Sequence, residues 1–208
     1  MNRLDNFINE CDIALKTLSF KKSGTGRSYP ANETSSSLSK EEKSQSAQLM
    51  RVNLAGEVAA QALYRGQAMV CKDAEIKNHL VQAGEEETDH LIWCKKRLEE
   101  LNGKPSILNP VWYAGSFAIG AIFGSFGEKT SLGFVEETEK QVVKHLEKHL
   151  DKVSKNDAET IEILKTMRAD EDEHAQEAIE NGSESLSEPT KKVMSFTAKV
   201  MTSSSAYI

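Results

Sequence analysis

Two Glu-x-x-His motifs, each preceded by a solitary glutamate, constrain this chain more than any other feature. Glu57 is followed by Glu87-Thr88-Asp89-His90, and Glu139 by Glu171-Asp172-Glu173-His174. The interval from lone glutamate to motif is nearly the same in the two halves. The step from Glu57 to Glu139 likewise nearly equals the step from Glu87 to Glu171, as in an internal repeat. Residues at i and i+3 share a helix face. Four carboxylates and two imidazoles so placed form the ligand set of a carboxylate-bridged di-iron site inside a four-helix bundle.

The spacing predicts hairpins. Glu57 precedes Cys71 by the same stretch of chain by which Glu87 follows Asp73. Glu139 and Glu171 are equidistant in sequence from Lys155, which lies inside the polar turn Ser154-Lys155-Asn156-Asp157. At about 1.5 Å of rise per residue, equal antiparallel arms bring their glutamates to one height. Each half then builds half a metal site, as in a duplicated helical hairpin. The expected fold is all-α.

A chain of 208 residues is long enough to bury a core as one domain. A net charge of −6 argues against nucleic acid as a partner. It also offers no bulk attraction to anionic lipid, so membrane contact is expected to be local and apolar. Cys11, Cys71 and Cys94 form no Cys-x-x-Cys pair and read as free thiols in a reducing compartment. The N-terminus carries Asp5, Glu10 and Asp12 and lacks the apolar run of a secretory signal. A cytoplasmic protein is expected.

Residues 1–20 read as an amphipathic helix on Leu4, Phe7, Ile8, Cys11, Leu15 and Leu18, and residues 21–38 as a flexible loop. Residues 39–208 read as the bundle domain. Its first helix opens on the capping box Ser39/Glu42 and runs to about Cys71; a second spans Asp73 to Leu101 and ends at Asn102-Gly103. Residues 111–127 carry no charge but hold Trp112, Tyr113, Phe117, Ile119, Ile122, Phe123 and Phe126 among Gly115, Gly120 and Gly124. Helices over Ser131–Ser154 and Asp157–Glu180 follow, and a last one runs from Ser187-Pro189 to about Met201.

The apolar stripes of these helices are interrupted by glutamate. Leu80, Ala83, Leu91, Cys94 and Leu98 flank Glu87; Leu132, Val135, Val142 and Leu146 flank Glu139; Ile161, Leu164, Met167 and Ala175 flank Glu171 and His174. Glu57 is less cleanly framed, with Asn53 and Gln61 beside Leu54 and Ala60. A buried carboxylate needs a proton, a cation or a metal. Glu136 competes with Glu139 as a ligand, while Glu137 points away. The donor set suits iron or manganese, with iron favoured for oxygen chemistry. His145 and His149 read as neighbours of the site or as surface, and His79 as surface. Asp89 and Asp170 are candidates to orient a histidine of a neighbouring helix. The competing reading is a plain bundle with solvent-facing glutamates.

At these residues the chain resembles a known family. Arg51-Val52-Asn53-Leu54-Ala55-Gly56-Glu57-Val58 with Ala62-Leu63-Tyr64-Arg65-Gly66-Gln67, Glu86 through Leu91, Leu108-Asn109-Pro110, Ser131 through Val135 with Thr138-Glu139, and Asp170 through His174 are similar to the demethoxyubiquinone hydroxylases of ubiquinone biosynthesis. The similarity runs from about Leu38 to Gly182. Leu54 departs from the histidine common at that position, which removes a polar neighbour of Glu57 but no ligand.

The resemblance implies a ferritin-like four-helix bundle in which Glu57, Glu87, His90, Glu139, Glu171 and His174 hold two irons, with Glu87 and Glu171 bridging. It implies hydroxylation of a polyprenylated methoxy-methyl-benzoquinol by O2, and a position for His145 close to the site. It also implies a peripheral place on the cytoplasmic face of the plasma membrane. Residues 111–127 would then be an interface helix, with Ile119 and Phe123 on its lipid-facing side. Gly120 and Gly124 would otherwise suit a buried helix or a homodimer face. Other ubiquinone-biosynthesis proteins are further expected partners. A ferritin-like iron- or peroxide-handling protein shares the ligand set and is the alternative, and a non-catalytic helical adaptor is a third reading.

Overall fold

The computed structural model describes residues 3–31 and 37–208, and all regular structure among them is helical. The helices are α1 (Arg3–Leu18), α2 (Lys40–Val70), α3 (Ala74–Glu100), α4 (Asn109–Gly124), α5 (Glu128–Lys152), α6 (Ala158–Glu180) and α7 (Glu188–Ser205). Residues 32–36 of the expected loop, and the side chains of Leu4 and Phe7, lie outside the described residues.

Helix starts follow local chemistry. Ser39 and Glu42 close both bonds of the capping box of α2. The Asp73, Asp157 and Ser187 side chains accept backbone N–H groups at the heads of α3, α6 and α7. Asn102 and Gly182, at φ 59° and 90°, take the left-handed conformation that ends α3 and α6. Helix α5 begins at Glu128, three residues before the expected Ser131, and α7 continues past Met201 to Ser205.

Helices α2 and α3 form one hairpin and α5 and α6 the other. Met50, Leu54, Leu91, Leu98, Leu146 and Leu164 are fully buried between them. At one end of the bundle, Arg97 of α3 donates to Asp157 Oδ1 at 2.7 Å and to Thr160 Oγ1 at 2.9 Å, both at the head of α6.

Helix α4 lies along α2 through glycine. A Cβ on Gly120 would sit 2.2 Å from the Leu63 carbonyl oxygen, and one on Gly66 would sit 2.2 Å from the Phe117 carbonyl oxygen. The Gly120/Gly124 edge therefore serves packing inside the chain rather than a homodimer face. No helix among the described residues is long and apolar enough to cross a membrane. Helix α7 packs on α2 and α5, and its end is tied to α4, where Trp112 Nε1 donates to Ser205 Oγ at 2.9 Å. Helix α1 meets the bundle through Thr17, which donates to Gln61 Oε1, and through the Arg65–Glu10 pair; Ile8 and Leu15 point outward.

Candidate metal centre

The two hairpins bring all six expected ligands to mid-bundle, each at most 5% exposed. Donor atoms of Glu57, Glu87, His90 and Glu171 lie within 4.8 Å of one another. His90 Nδ1 is 3.2 Å from Glu87 Oε2 and 3.3 Å from Glu171 Oε1. His174 Nδ1 is 3.2 Å from Glu87 Oε1 and 3.6 Å from Glu171 Oε2. Glu87 and Glu171 thus each present one oxygen to either imidazole. Glu139 stands outside the four-residue group: Oε1 accepts the Tyr64 hydroxyl at 2.7 Å, and Oε2 has no hydrogen-bond partner.

The outer ring nitrogens are spoken for. His90 Nε2 lies 2.8 Å from Asp170 Oδ2, and His174 Nε2 lies 2.9 Å from Glu86 Oε2. A proton held on Nε2 leaves the Nδ1 lone pair aimed inward, as a metal requires. Both carboxylates immediately precede the first glutamate of a motif, and each serves the histidine of the opposite hairpin. Of the two aspartates expected to orient a histidine, Asp170 does so. Asp89 instead accepts the Thr25 hydroxyl. Sequence reasoning missed Glu86, although the repeat makes it the counterpart of Asp170. It also missed Tyr64, two helical turns after Glu57 and hence on nearly the same face of α2.

The electrostatics describe a site short of cations. Burial, then the charges of Glu87 and Glu171, push the Glu57 carboxyl well above the usual range. Burial and the same two neighbours do this to Glu139. Burial opposes ionisation of Glu87 as well, but the facing His90 and His174 hold it well below the usual range. For His174, burial is outweighed by Glu171 and Glu87, and its pKa is pushed up to about 12. Protons therefore supply the positive charge that four clustered carboxylates demand. Glu87 Oε1, Glu139 Oε2, Glu171 Oε2 and His174 Nδ1 are buried without a hydrogen-bond partner. Unsatisfied donor atoms of this kind, on carboxylates and imidazoles alone, fit hard or borderline divalent cations, two of which would balance four glutamates.

Glu57, Glu139 and Glu171 also line a cavity of about 1040 Å³ between α2, α4, α5 and α7. Its walls are mostly apolar, with Val52, Leu63, Ile119, Phe123, Phe134 and Val142 among them. Ile119 and Phe123 line this cavity, and Phe123 packs on Phe134 at 4.1 Å between ring centroids. The outward side of α4 is Val111 and Ile122, continued by Phe126. His145 and His149 are not surface residues: both line the cavity, with ring centroids 4.0 Å apart. Burial, then Lys148 and Lys152, lowers the pKa of His145 to about 4; burial, then His145 and Lys152, lowers that of His149 to about 3, so both are neutral at pH 7. Glu136 is turned away, paired with Lys140 and Ser183, and Glu137 accepts from Gln141.

Known proteins share this sequence closely. A family model described as ubiquinone biosynthesis protein COQ7 matches residues 44–205. A Legionella pneumophila (strain Lens) protein named 3-demethoxyubiquinol 3-hydroxylase is 50% identical over 207 residues, covering 99% of this chain and 97% of its own length. Proteins of the same name from Francisella philomiragia and Nitrosococcus oceani are 49% and 46% identical. They cover 96% and 100% of this chain, and 94% and 98% of their own lengths.

Proposed function

This chain belongs to the COQ7 family of ubiquinone biosynthesis proteins, and on that premise we propose that it is a 3-demethoxyubiquinol 3-hydroxylase. The observation that carries this reading is the contact between two features. A buried cluster of four glutamates and two histidines forms part of the wall of a large apolar cavity. A ferritin-like iron- or peroxide-handling protein needs the cluster but not the cavity.

Glu57, Glu87, His90, Glu139, Glu171 and His174 would hold two irons, with Glu87 and Glu171 bridging. That role fits the way each presents its two oxygens to the two imidazoles. When bound, the irons supply activation of O2, so that one oxygen atom enters a ring C–H bond and the other leaves as water, at the expense of two electrons and two protons.

The chain's own groups do the rest. The cavity, at the upper end of the roughly 300–1,000 Å³ of ligand pockets, receives the benzoquinol head and the start of its prenyl tail. Its apolar walls exclude water from the ring. Tyr64 fixes one oxygen of Glu139 and leaves the other free to turn. Asp170 and Glu86 keep the two histidines in the tautomer that aims Nδ1 at the centre.

Because a polyprenyl quinol resides in the bilayer, we infer a peripheral position for the protein, on the cytoplasmic face of the plasma membrane. Exposed Val111, Ile122 and Phe126 beside α4, and Val193, Phe196 and Val200 on α7, provide apolar contact near the cavity. Lys144, Lys148, Lys152 and Lys199 line the cavity as well, none with an ion pair among the described residues. This local positive charge within an acidic chain adds an electrostatic component to the proposed contact.

Complementation tests the function. Expression in a bacterium lacking its own demethoxyubiquinol hydroxylase should restore ubiquinone and clear the accumulated precursor. A folded, iron-loaded protein that leaves the precursor untouched would contradict the assignment.

A further inference from the structure

The loop between α1 and α2 is anchored along the outside of α3. Lys22 Nζ donates to the Gly84 carbonyl at 3.3 Å, and the Thr25 hydroxyl donates to Asp89. Gly24 lies so close to Asp89 that a Cβ there would sit 2.0 Å from Oδ1 and the carboxylate would have to shift. Further along, the Tyr29 hydroxyl donates to Glu100 at 3.1 Å, with Lys96 3.8 Å above its ring. Between these anchors the loop sends one side chain across to α6.

That side chain is Arg27. Its Nη1 donates to Asp170 Oδ2 at 2.7 Å and its Nη2 to Asp170 Oδ1 at 3.0 Å, a two-pronged grip that fixes the plane of the carboxylate. The same Oδ2 receives His90 Nε2 at 2.8 Å. The guanidinium also sits 5.0 Å from the Trp93 ring centroid, and Trp93 packs on His90 at 5.3 Å. Arg27 therefore bears on His90 along two routes. The other half of the site has nothing equivalent among the described residues: Glu86, the partner of His174, is further held there by the Gln82 amide alone, at 3.1 Å.

We propose that Arg27 is a positioning residue of the metal centre, holding Asp170 and through it the orientation and donor tautomer of His90. The N-terminal loop is thereby a working part of the site, and the two histidines differ in how firmly they are aimed. This rests on the reading that the six buried residues hold two metals. Without the guanidinium, Asp170, whose side chain is 16% exposed, is free to swing towards water. His90 then loses the acceptor that directs its Nδ1 inward.

Cobalt(II) binding to the purified full chain tests this, read by calorimetry and by the visible absorption of the bound ion. In Arg27→Ala, one of two binding steps should weaken about tenfold, the scale of an outer-partner loss, with a changed spectrum for that step and the other step unaltered. Arg27→Lys, which keeps the charge but loses the fork, should recover part of the loss. Tyr29→Phe, which removes a loop anchor and leaves the fork, should bind as wild type. Two unchanged steps in Arg27→Ala, or an equal weakening in Tyr29→Phe, overturns the proposal. Wild-type protein binding fewer than two cobalt ions overturns the two-metal reading itself, and the proposal with it.

Discussion

His90 and His174 share a motif but not an environment. Each gives its outer nitrogen to a carboxylate from the other hairpin, and among the described residues only that of His90 is gripped by an arginine. The six residues gathered at mid-bundle were legible in sequence as candidate ligands because spacing and stripe position depend on one helix at a time. Tyr64 and Glu86 were not, because their partners lie on other helices; the duplication offered the one available clue for Glu86. Replacing Glu171 by Ala removes a carboxylate that faces both imidazoles, and bound iron should fall well below two per chain in metal analysis. Retention of two irons would remove Glu171 from the bridging role. Tyr64→Phe leaves Glu139 Oε1 buried without its donor, an expected loss of about 1–3 kcal/mol in urea unfolding of the metal-free protein. An unchanged midpoint would show that Glu139 finds another donor.

At the scale of elements, α4 was legible as apolar but not as to which side faces what. Periodicity is weak in a helix that is apolar almost all round, so the glycine edge could suit a partner copy or a neighbouring helix. The structure seats Gly120 on the backbone of α2, where no side chain can yield. Gly120→Ala should therefore destabilise the fold by about 1–3 kcal/mol, against the gain that alanine ordinarily brings to a helix. A more stable variant would contradict the packing.

Helix α5 carries a second consequence. His145 and His149 are neutral in the fold, with pKa values lowered to about 4 and about 3 chiefly by burial, and for His149 next by His145. The unfolded chain takes up these protons near about pH 6.5, so their contribution to stability is complete above that pH and is lost as pH falls towards the folded values. The loss approaches about 1.4 kcal/mol per pH unit for each histidine. The raised pKa values of Glu57, Glu139 and His174 act in the opposite sense, so the slope is read as a difference in urea unfolding: between about pH 7 and about pH 5, the stability of His149→Leu should fall less steeply with acid than that of the wild type. An identical slope in the variant would mean that His149 is solvated.

At the scale of the whole molecule, the hairpin pair follows from equal arm lengths that sequence counting already supplies. The cavity does not, because its walls come from five helices and its lysines from two. Vesicles rich in anionic lipid should sediment with the protein, and the triple variant Lys144→Ala/Lys148→Ala/Lys152→Ala should bind them more weakly, each lysine contributing about 1 kcal/mol. Binding indifferent to salt and to these lysines would leave the apolar residues of α4 and α7 as the sole contact. The central claim, hydroxylation at the buried cluster, is tested most directly by a single turnover. Iron-loaded protein is mixed anaerobically with a short-chain demethoxyubiquinone analogue and a reductant, then given heavy-oxygen-labelled O2, and the quinone is weighed by mass spectrometry. A hydroxylated ring carrying one heavy oxygen atom is the predicted product. O2 consumed by iron-loaded protein without any labelled quinone would contradict the account and favour an iron oxidase.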